Sequence, residues 1–201
     1  MAHKIKDVEV FMATTRPETP AFDSSFVLKT SGNAVVSVTT EDGLSGFGMT
    51  FPEPVAEYIK RTLKEEVVGK DPMASEDIWN AMFRSIRSSG RKGVALLAMS
   101  AIDLAVWDLR GKILNQPVYK LLGGTRRKIP AYASVGFLSM PEDEVVQKAL
   151  EYVADGYKTL KVKIGYDDGK NILADVRRVE KVRRAVGDGI EIIVDANGIY
   201  D

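Results

Sequence analysis

From Ala131 to Asp195 short apolar runs alternate with amphipathic stretches at intervals of about thirty residues, and this alternation limits the fold more than any other feature of the chain. Ala131-Tyr132-Ala133-Ser134 reads as a short strand. Ser139-Met140-Pro141-Glu142 has the pattern of a capping box ahead of Val145, Val146, Ala149 and Val153, and Gly156 ends that predicted helix. Leu160 to Ile164 is a second strand. Ile172, Val176, Val179, Val182 and Val186 mark a second helix closed by Gly187, and Ile190 to Asp195 is a third strand. Strands joined through helices must run parallel, because a tight turn cannot return the chain to the same end of a sheet. Three such strands fit a small open sheet. They fit equally the first three-eighths of a (β/α)8 barrel, which takes about 250 residues.

The residues before Pro130 follow other rules. Val8, Val10 and Met12 alternate with Glu9 and Phe11 as in a strand. Phe26–Lys29 and Ala34–Val38 flank Ser31-Gly32-Asn33, which reads as a hairpin. Glu41-Asp42-Gly43 makes a second turn into Leu44–Gly48. A three-stranded antiparallel meander is the simplest account, with Thr14 to Asp23, which holds two prolines, as a loop between its first two strands. Helical spacing follows. Val55, Ile59, Leu63 and Val67 give one apolar face, and Asp71-Pro72 opens a segment carrying Ile78, Met82 and Phe83. Val94, Leu97, Ala98, Ala101, Ile102, Ala105 and Leu109 predict a mostly buried helix. A break near Asn115-Gln116-Pro117 leads to a short helix stopped by Gly123-Gly124. The expectation is therefore an α+β part over 1–128 and a β/α part over 129–201.

Composition excludes several functions. Lys plus Arg and Asp plus Glu both number 28, so no net charge draws the chain to nucleic acid. The densest basic run, Arg126-Arg127-Lys128, reads as a solvated connector. No cysteine is present, which removes disulfides, thiolate metal sites and cysteine nucleophiles. No run of about 18 apolar residues is long enough for a membrane helix, and a cytoplasmic setting is expected. The one histidine, His3, lies near the N-terminus, so a mechanism with an internal histidine base is not available from these residues. Trp79 and Trp107 fall in helical patterns and read as core. Arg87 to Gly93 lacks phosphate-loop spacing and follows no strand.

The chemistry concentrates in the second part. Lys161 and Lys163 sit one residue apart inside an otherwise apolar strand. Alternate strand residues share a face, with α-carbons roughly 6.6 Å apart. Buried lysine is expensive unless it is paired or used, so that face is either wet or reserved for chemistry. Asp195 ends the next strand, and Asn197 shares its parity. Sites in α/β sheets and barrels gather at the C-terminal ends of strands. A carboxylate there calls for a cation: a lysine of the adjacent strand, or a metal. Oxygen donors alone suit Mg2+. Taken singly, a lysine pair reads as a solvated face and Asp-Ala-Asn-Gly as a turn; their succession on neighbouring strands favours a site.

Four stretches carry a resemblance that covers essentially the whole chain. They are Val36 to Gly48; Ala101 to Leu109 with Pro117 to Gly124; Lys161-Val162-Lys163; and Asp195-Ala196-Asn197. Together they resemble the enolase superfamily, in its mandelate racemase and muconate lactonizing branch. The resemblance implies an α+β capping domain followed by the first part of a β/α (TIM-type) barrel, the N-terminal half of such an enzyme. It implies Mg2+-dependent removal of a proton next to a carboxylate to give an enediolate, with dehydration of a sugar acid as the leading reaction. Racemisation, epimerisation or cycloisomerisation through the same enediolate is the alternative. Lys163 is then the base, Lys161 its electrostatic neighbour, Asp195 the first metal ligand and Asn197 a close companion. Two loops, near Thr14 to Asp23 and Met49 to Pro54, would set specificity through residues such as Phe22 and Phe51. The family's two further acidic metal ligands have no counterpart here, and Met49 stands where many members carry a glutamate. The partners implied are a small carboxylate substrate and further copies of the chain in a homo-oligomer, with no nucleic acid and no membrane. A reading from another class is a truncated, inactive remnant that acts only by pairing its exposed strand edge with another chain.

Overall fold

Ten residues of one strand, Ser31–Thr40, organise the first half of the chain. The computed structural model describes residues 3–16, 21–51, 54–125 and 128–200. In chain order its elements are β1 (Ile5–Thr15), β2 (Ala21–Phe22), β3 (Val27–Leu28), β4 (Ser31–Thr40), β5 (Ser45–Thr50), α1 (Val55–Tyr58), a π-helical turn (Ile59–Leu63), α2 (Lys64–Val67), α3 (Ser75–Ser85), α4 (Val94–Ile113), α5 (Val118–Leu121), β6 (Ala133–Val135), α6 (Glu142–Ala154), β7 (Thr159–Lys163), α7 (Ile172–Val186) and β8 (Glu191–Asp195). They form two units, Met1–Thr15 with Ser31–Arg126, and Arg16–Thr30 with Arg127–Asp201. The expected division at residue 128 differs from these units at one segment: 16–30 groups with the second unit, where its hairpin bonds residues that follow the parallel strands.

In the first unit β1, β4 and β5 form an antiparallel sheet in the order β1-β4-β5. Ala34, Val36 and Val38 are completely buried. The turn at Glu41-Asp42-Gly43 forms as expected, closed by Gly43 N donating to Thr40 O. The hairpin expected at Ser31-Gly32-Asn33 does not form. Those residues continue β4 and pair with Thr15, Thr14 and Ala13, while Val27–Leu28 pairs with Ala21–Phe22. Gly32 serves close backbone approach, not a turn: a β-carbon there would lie 2.4 Å from Ala13 O.

The helices of this unit follow the expected apolar positions. Val55, Ile59, Leu63 and Val67 are all fully buried. A strict four-residue repeat drifts about 40° per turn on a helix of 3.6 residues per turn. The π-helical turn Ile59–Leu63, which is more loosely wound, takes up that drift and keeps the row facing the core. Trp79 packs against this core, and the Arg110 guanidinium lies 4.1 Å over the ring of Trp107. Gly46 and Gly48 let β5 lie directly on α4, at Ala105 and Ala101. His3 Nδ1 is 2.7 Å from Asp42 Oδ2.

The second unit carries three parallel strands in the order β6-β7-β8. Ala133, Val135, Leu160 and Val162 face α6 and α7 and form the core with Val145, Ala149 and Val182. The first strand lies at Ala133–Val135, two residues beyond the start expected for it. The capping box at Ser139 does not form; Pro141 takes the cap position without a side-chain bond, and Glu142, Asp143 and Glu144 complement the helix dipole instead. Ser139 Oγ accepts from Phe22 N. The α7 start is capped by Asn171, whose Oδ1 accepts from Ala174 N. Of the loops expected near Thr14 to Asp23 and Met49 to Pro54, residues 17–20 and 52–53 lie outside the described residues, as do Arg126 and Arg127 of the basic run. Among the described residues no helix is long and apolar enough to cross a membrane.

Candidate active site

Parity and register build the site. On β7 the even residues Leu160 and Val162 point to the helices, so Lys161 and Lys163 point the other way. Parallel pairing sets Ile193 beside Lys161 and Asp195 beside Lys163. Lys161 Nζ is 3.0 Å from Asp195 Oδ2, and Lys163 Nζ is 3.6 Å from the same oxygen. Asn197 stands in the left-handed region at φ 50°. That turn brings its Oδ1 back to accept from Lys163 Nζ at 2.7 Å, while its N donates to Asp195 Oδ1 at 3.1 Å. Lys161, Lys163, Asp195 and Asn197 therefore form one cluster at the C-terminal ends of β7 and β8.

Lys163 is buried on that face, 9% exposed, while Lys161 keeps part of its surface in solvent. The hydrogen bond to Asp195 holds the Lys161 amine above its ordinary range, against the opposing effect of burial. The same bond, with help from Asn197 N and the charge of Lys163, holds the Asp195 carboxyl below its ordinary value. Lys161 Nζ also lies 5.2 Å over the Tyr132 ring, and Lys163 Nζ 5.5 Å from the Phe137 ring.

One participant escaped the sequence reading. Asp23, in the turn between β2 and β3, is buried, and its Oδ2 lies 3.2 Å from Lys163 Nζ. Burial pushes its carboxyl up, but hydrogen bonds from Ser25, Lys163 and Phe26 outweigh that and hold it down. The only local signal is Asp23-Ser24-Ser25, a sequence suited to an Asx turn; nothing near it in sequence points to a lysine 140 residues away. Phe22 lies in β2, where its backbone bonds Leu138 and Ser139. Phe51 follows β5 in the first unit and is 70% exposed.

For a divalent cation the donor set is oxygen only. Asp195 supplies one carboxylate at the strand ends, which fits a hard ion such as Mg2+ that takes one or two carboxylates plus water and substrate. Among the described residues no three acidic or imidazole groups cluster as a complete metal site. A cleft of about 490 Å3 lies on the helix side, lined by Ile172, Val176, Val179 and Val194, and is almost wholly apolar. It holds neither lysine, and the polar cluster is the better candidate for chemistry.

Comparison with known proteins places the whole chain among relatives. Residues 6–123 match the mandelate racemase / muconate lactonizing enzyme, N-terminal domain, and residues 144–201 match the enolase C-terminal domain-like family. Arabinonate dehydratase of Saccharolobus solfataricus is 35% identical over 169 residues, 81% of this chain and 44% of that protein. D-galactarolactone cycloisomerase of Agrobacterium fabrum is 30% identical over 202 residues, 98% of this chain and 52% of the relative. Among solved structures, L-talarate/galactarate dehydratase from Salmonella typhimurium LT2, liganded with Mg and L-lyxarohydroxamate, superposes with a TM-score of 0.87 at 29% identity, covering 100% of this chain and 53% of that one. The chain spans about half the length of the curated relatives it matches.

Proposed function

Because the chain belongs to the enolase superfamily, in its mandelate racemase and muconate lactonizing branch, we propose that its lysine–aspartate cluster removes a proton next to a substrate carboxylate, in the dehydration of a sugar acid. The fold is the matching one: an α+β domain followed by the first part of a β/α barrel. The observation that carries the reading is that the amines of Lys161 and Lys163 both turn to Asp195, on the strand face away from the helices.

In this reading Lys163 takes the proton from the carbon beside the carboxylate. The electron pair left behind moves into the carboxylate, which gains a second negative charge. Lys161, the nearer cation to Asp195, stabilises that charge electrostatically. Asp195 would hold Mg2+, with Asn197 N fixing its carboxylate; bound there, the ion supplies further positive charge to the substrate carboxylate. Loss of the β-hydroxyl as water leaves an enol that becomes a 2-keto acid.

A relative named as a cycloisomerase matches nearly the whole chain, which supports ring opening through the same enediolate as a second reading. Incubating the protein at its natural length with a panel of acid sugars and Mg2+ distinguishes the two. A 2-keto product that absorbs as its semicarbazone, and is not formed when Mg2+ is chelated, is the result expected. Conversion of lactones with no keto product from any open-chain acid would transfer the reading to cycloisomerisation.

A further inference from the structure

The β2–β3 hairpin rests on the residues that follow all three parallel strands. After β6, Leu138 N donates to Phe22 O at 2.9 Å and Phe22 N donates to Ser139 Oγ at 3.3 Å. After β7, Gly165 lies so close that a β-carbon on it would come 2.6 Å from the Ser24 β-carbon. After β8, Ser24 Oγ donates to Ala196 O at 2.6 Å. The hairpin is thus seated on the end of the sheet where the lysines are.

Asp23 divides its two carboxylate oxygens between two tasks. Oδ1 builds the hairpin: it accepts from Ser25 N at 2.9 Å, Ser25 Oγ at 2.8 Å and Phe26 N at 3.2 Å. Oδ2 reaches Lys163 Nζ at 3.2 Å. The lysine amine carries three donors on a flexible four-carbon stem. Two of its partners, the acceptor Asn197 Oδ1 at 2.7 Å and the ion-paired Asp195 Oδ2 at 3.6 Å, belong to β8 and the turn after it. Acceptors from one side leave such a stem free to swing about them. Among the described residues Asp23 is the carboxylate that holds the amine from a separate segment.

We infer that Asp23 is a positioning residue for Lys163, clamping its amine from the hairpin side so that the base is set in place only while the hairpin is seated on the strand ends. This rests on the reading of Lys163 as the base, but the clamp itself is geometric and is measured without turnover. It makes hairpin seating and base assembly one event.

The protein at its natural length serves for the test. Asp23→Asn keeps an oxygen for the turn but puts an amide NH2, which cannot accept from an ammonium group, where Oδ2 stood. Lys163→Met removes the clamp from the other end and leaves the turn untouched. The readouts are the rate of reductive methylation of Lys163, followed by peptide mass, and amide hydrogen exchange across residues 21–28. Asp23→Asn is expected to speed labelling of Lys163 about tenfold, the loss of one hydrogen bond to a charged group, with labelling of Lys161 changed less than about twofold. Lys163→Met is expected to speed hairpin exchange by a similar factor. Should Asp23→Asn disturb the turn itself, the exchange of Lys163→Met decides alone. Lys163 labelling unchanged in Asp23→Asn with the hairpin intact, or hairpin exchange unchanged in Lys163→Met, overturns the inference. An error in the assignment of the base would appear elsewhere, as turnover that survives loss of Lys163, and would leave these two measurements as predicted.

Discussion

The Lys161 amine meets the Asp195 carboxylate at 3.0 Å along a diagonal, for the register sets Asp195 beside Lys163 and Ile193 beside Lys161. One carboxylate therefore answers both lysines. Asp195→Asn removes that answer and leaves the Lys161 ammonium without its carboxylate partner in a half-buried site, while Lys163 keeps Asp23. It should lower stability at neutral pH by about 2 kcal/mol in urea unfolding, and Lys161→Met should recover part of the loss in the double variant.

The pH dependence of that difference has a definite sign. Asp195 is held below its ordinary value of 3.8, chiefly by the hydrogen bond from Lys161, so its contribution is present above that pH and is lost as pH falls through the folded value. Lys161 is held above its ordinary 10.5 by Asp195, so its contribution is present below 10.5 and is lost as pH rises through the folded value. The gap in stability between the parent and Asp195→Asn should be flat from about pH 5 to pH 9 and should narrow below about pH 4. A gap that widens on acidification would contradict the pairing.

Two glycines of β5 make a different prediction. A β-carbon at Gly48 would lie 2.0 Å from Ala101 O, and one at Gly46 2.2 Å from Ala105 O, both backbone atoms of α4. Gly48→Ala should lower stability by about 3 kcal/mol. Gly69 has open space around it and is limited only by its φ of +83°, so Gly69→Ala should cost about 1 kcal/mol. Thermal unfolding of the two variants checks the contrast.

Arg178 is completely buried and ties together the loops that follow β6 and β7. Its Nη2 donates to Phe137 O at 2.7 Å, and its Nη1 to Tyr166 Oη at 2.7 Å and Met140 O at 3.2 Å. Arg178→Met strands those oxygens and should cost about 3 kcal/mol, whereas Tyr166→Phe should cost about 1 kcal/mol. Denaturant titration of the two variants ranks them; an equal effect would mean that the carbonyl contacts contribute little.

What could be read from residues alone divides along physical lines. The shared face of Lys161 and Lys163 and its meeting with Asp195 follow from strand parity and parallel pairing, both local rules applied to short segments. The rows at Val55–Val67 and Ile172–Val186 follow from helical period. Gly32 misled because glycine signals a turn and a close backbone approach alike, and only the partner strand tells which. Ser139 misled because proline at 141 takes the cap position and the hydroxyl meets Phe22 N. Asp23 was illegible because its partner is fixed by tertiary packing, with no periodic pattern to link the two positions.

The central claim is that Lys163 takes a proton from the carbon beside a substrate carboxylate. Its most direct test is proton NMR in D2O, with Mg2+ and an acid sugar, on the protein at its natural length and on its Lys163→Ala variant. The account predicts that the parent exchanges or eliminates that carbon's proton and that the variant does so at least about a thousandfold more slowly. Exchange by the variant within about tenfold of the parent would contradict it.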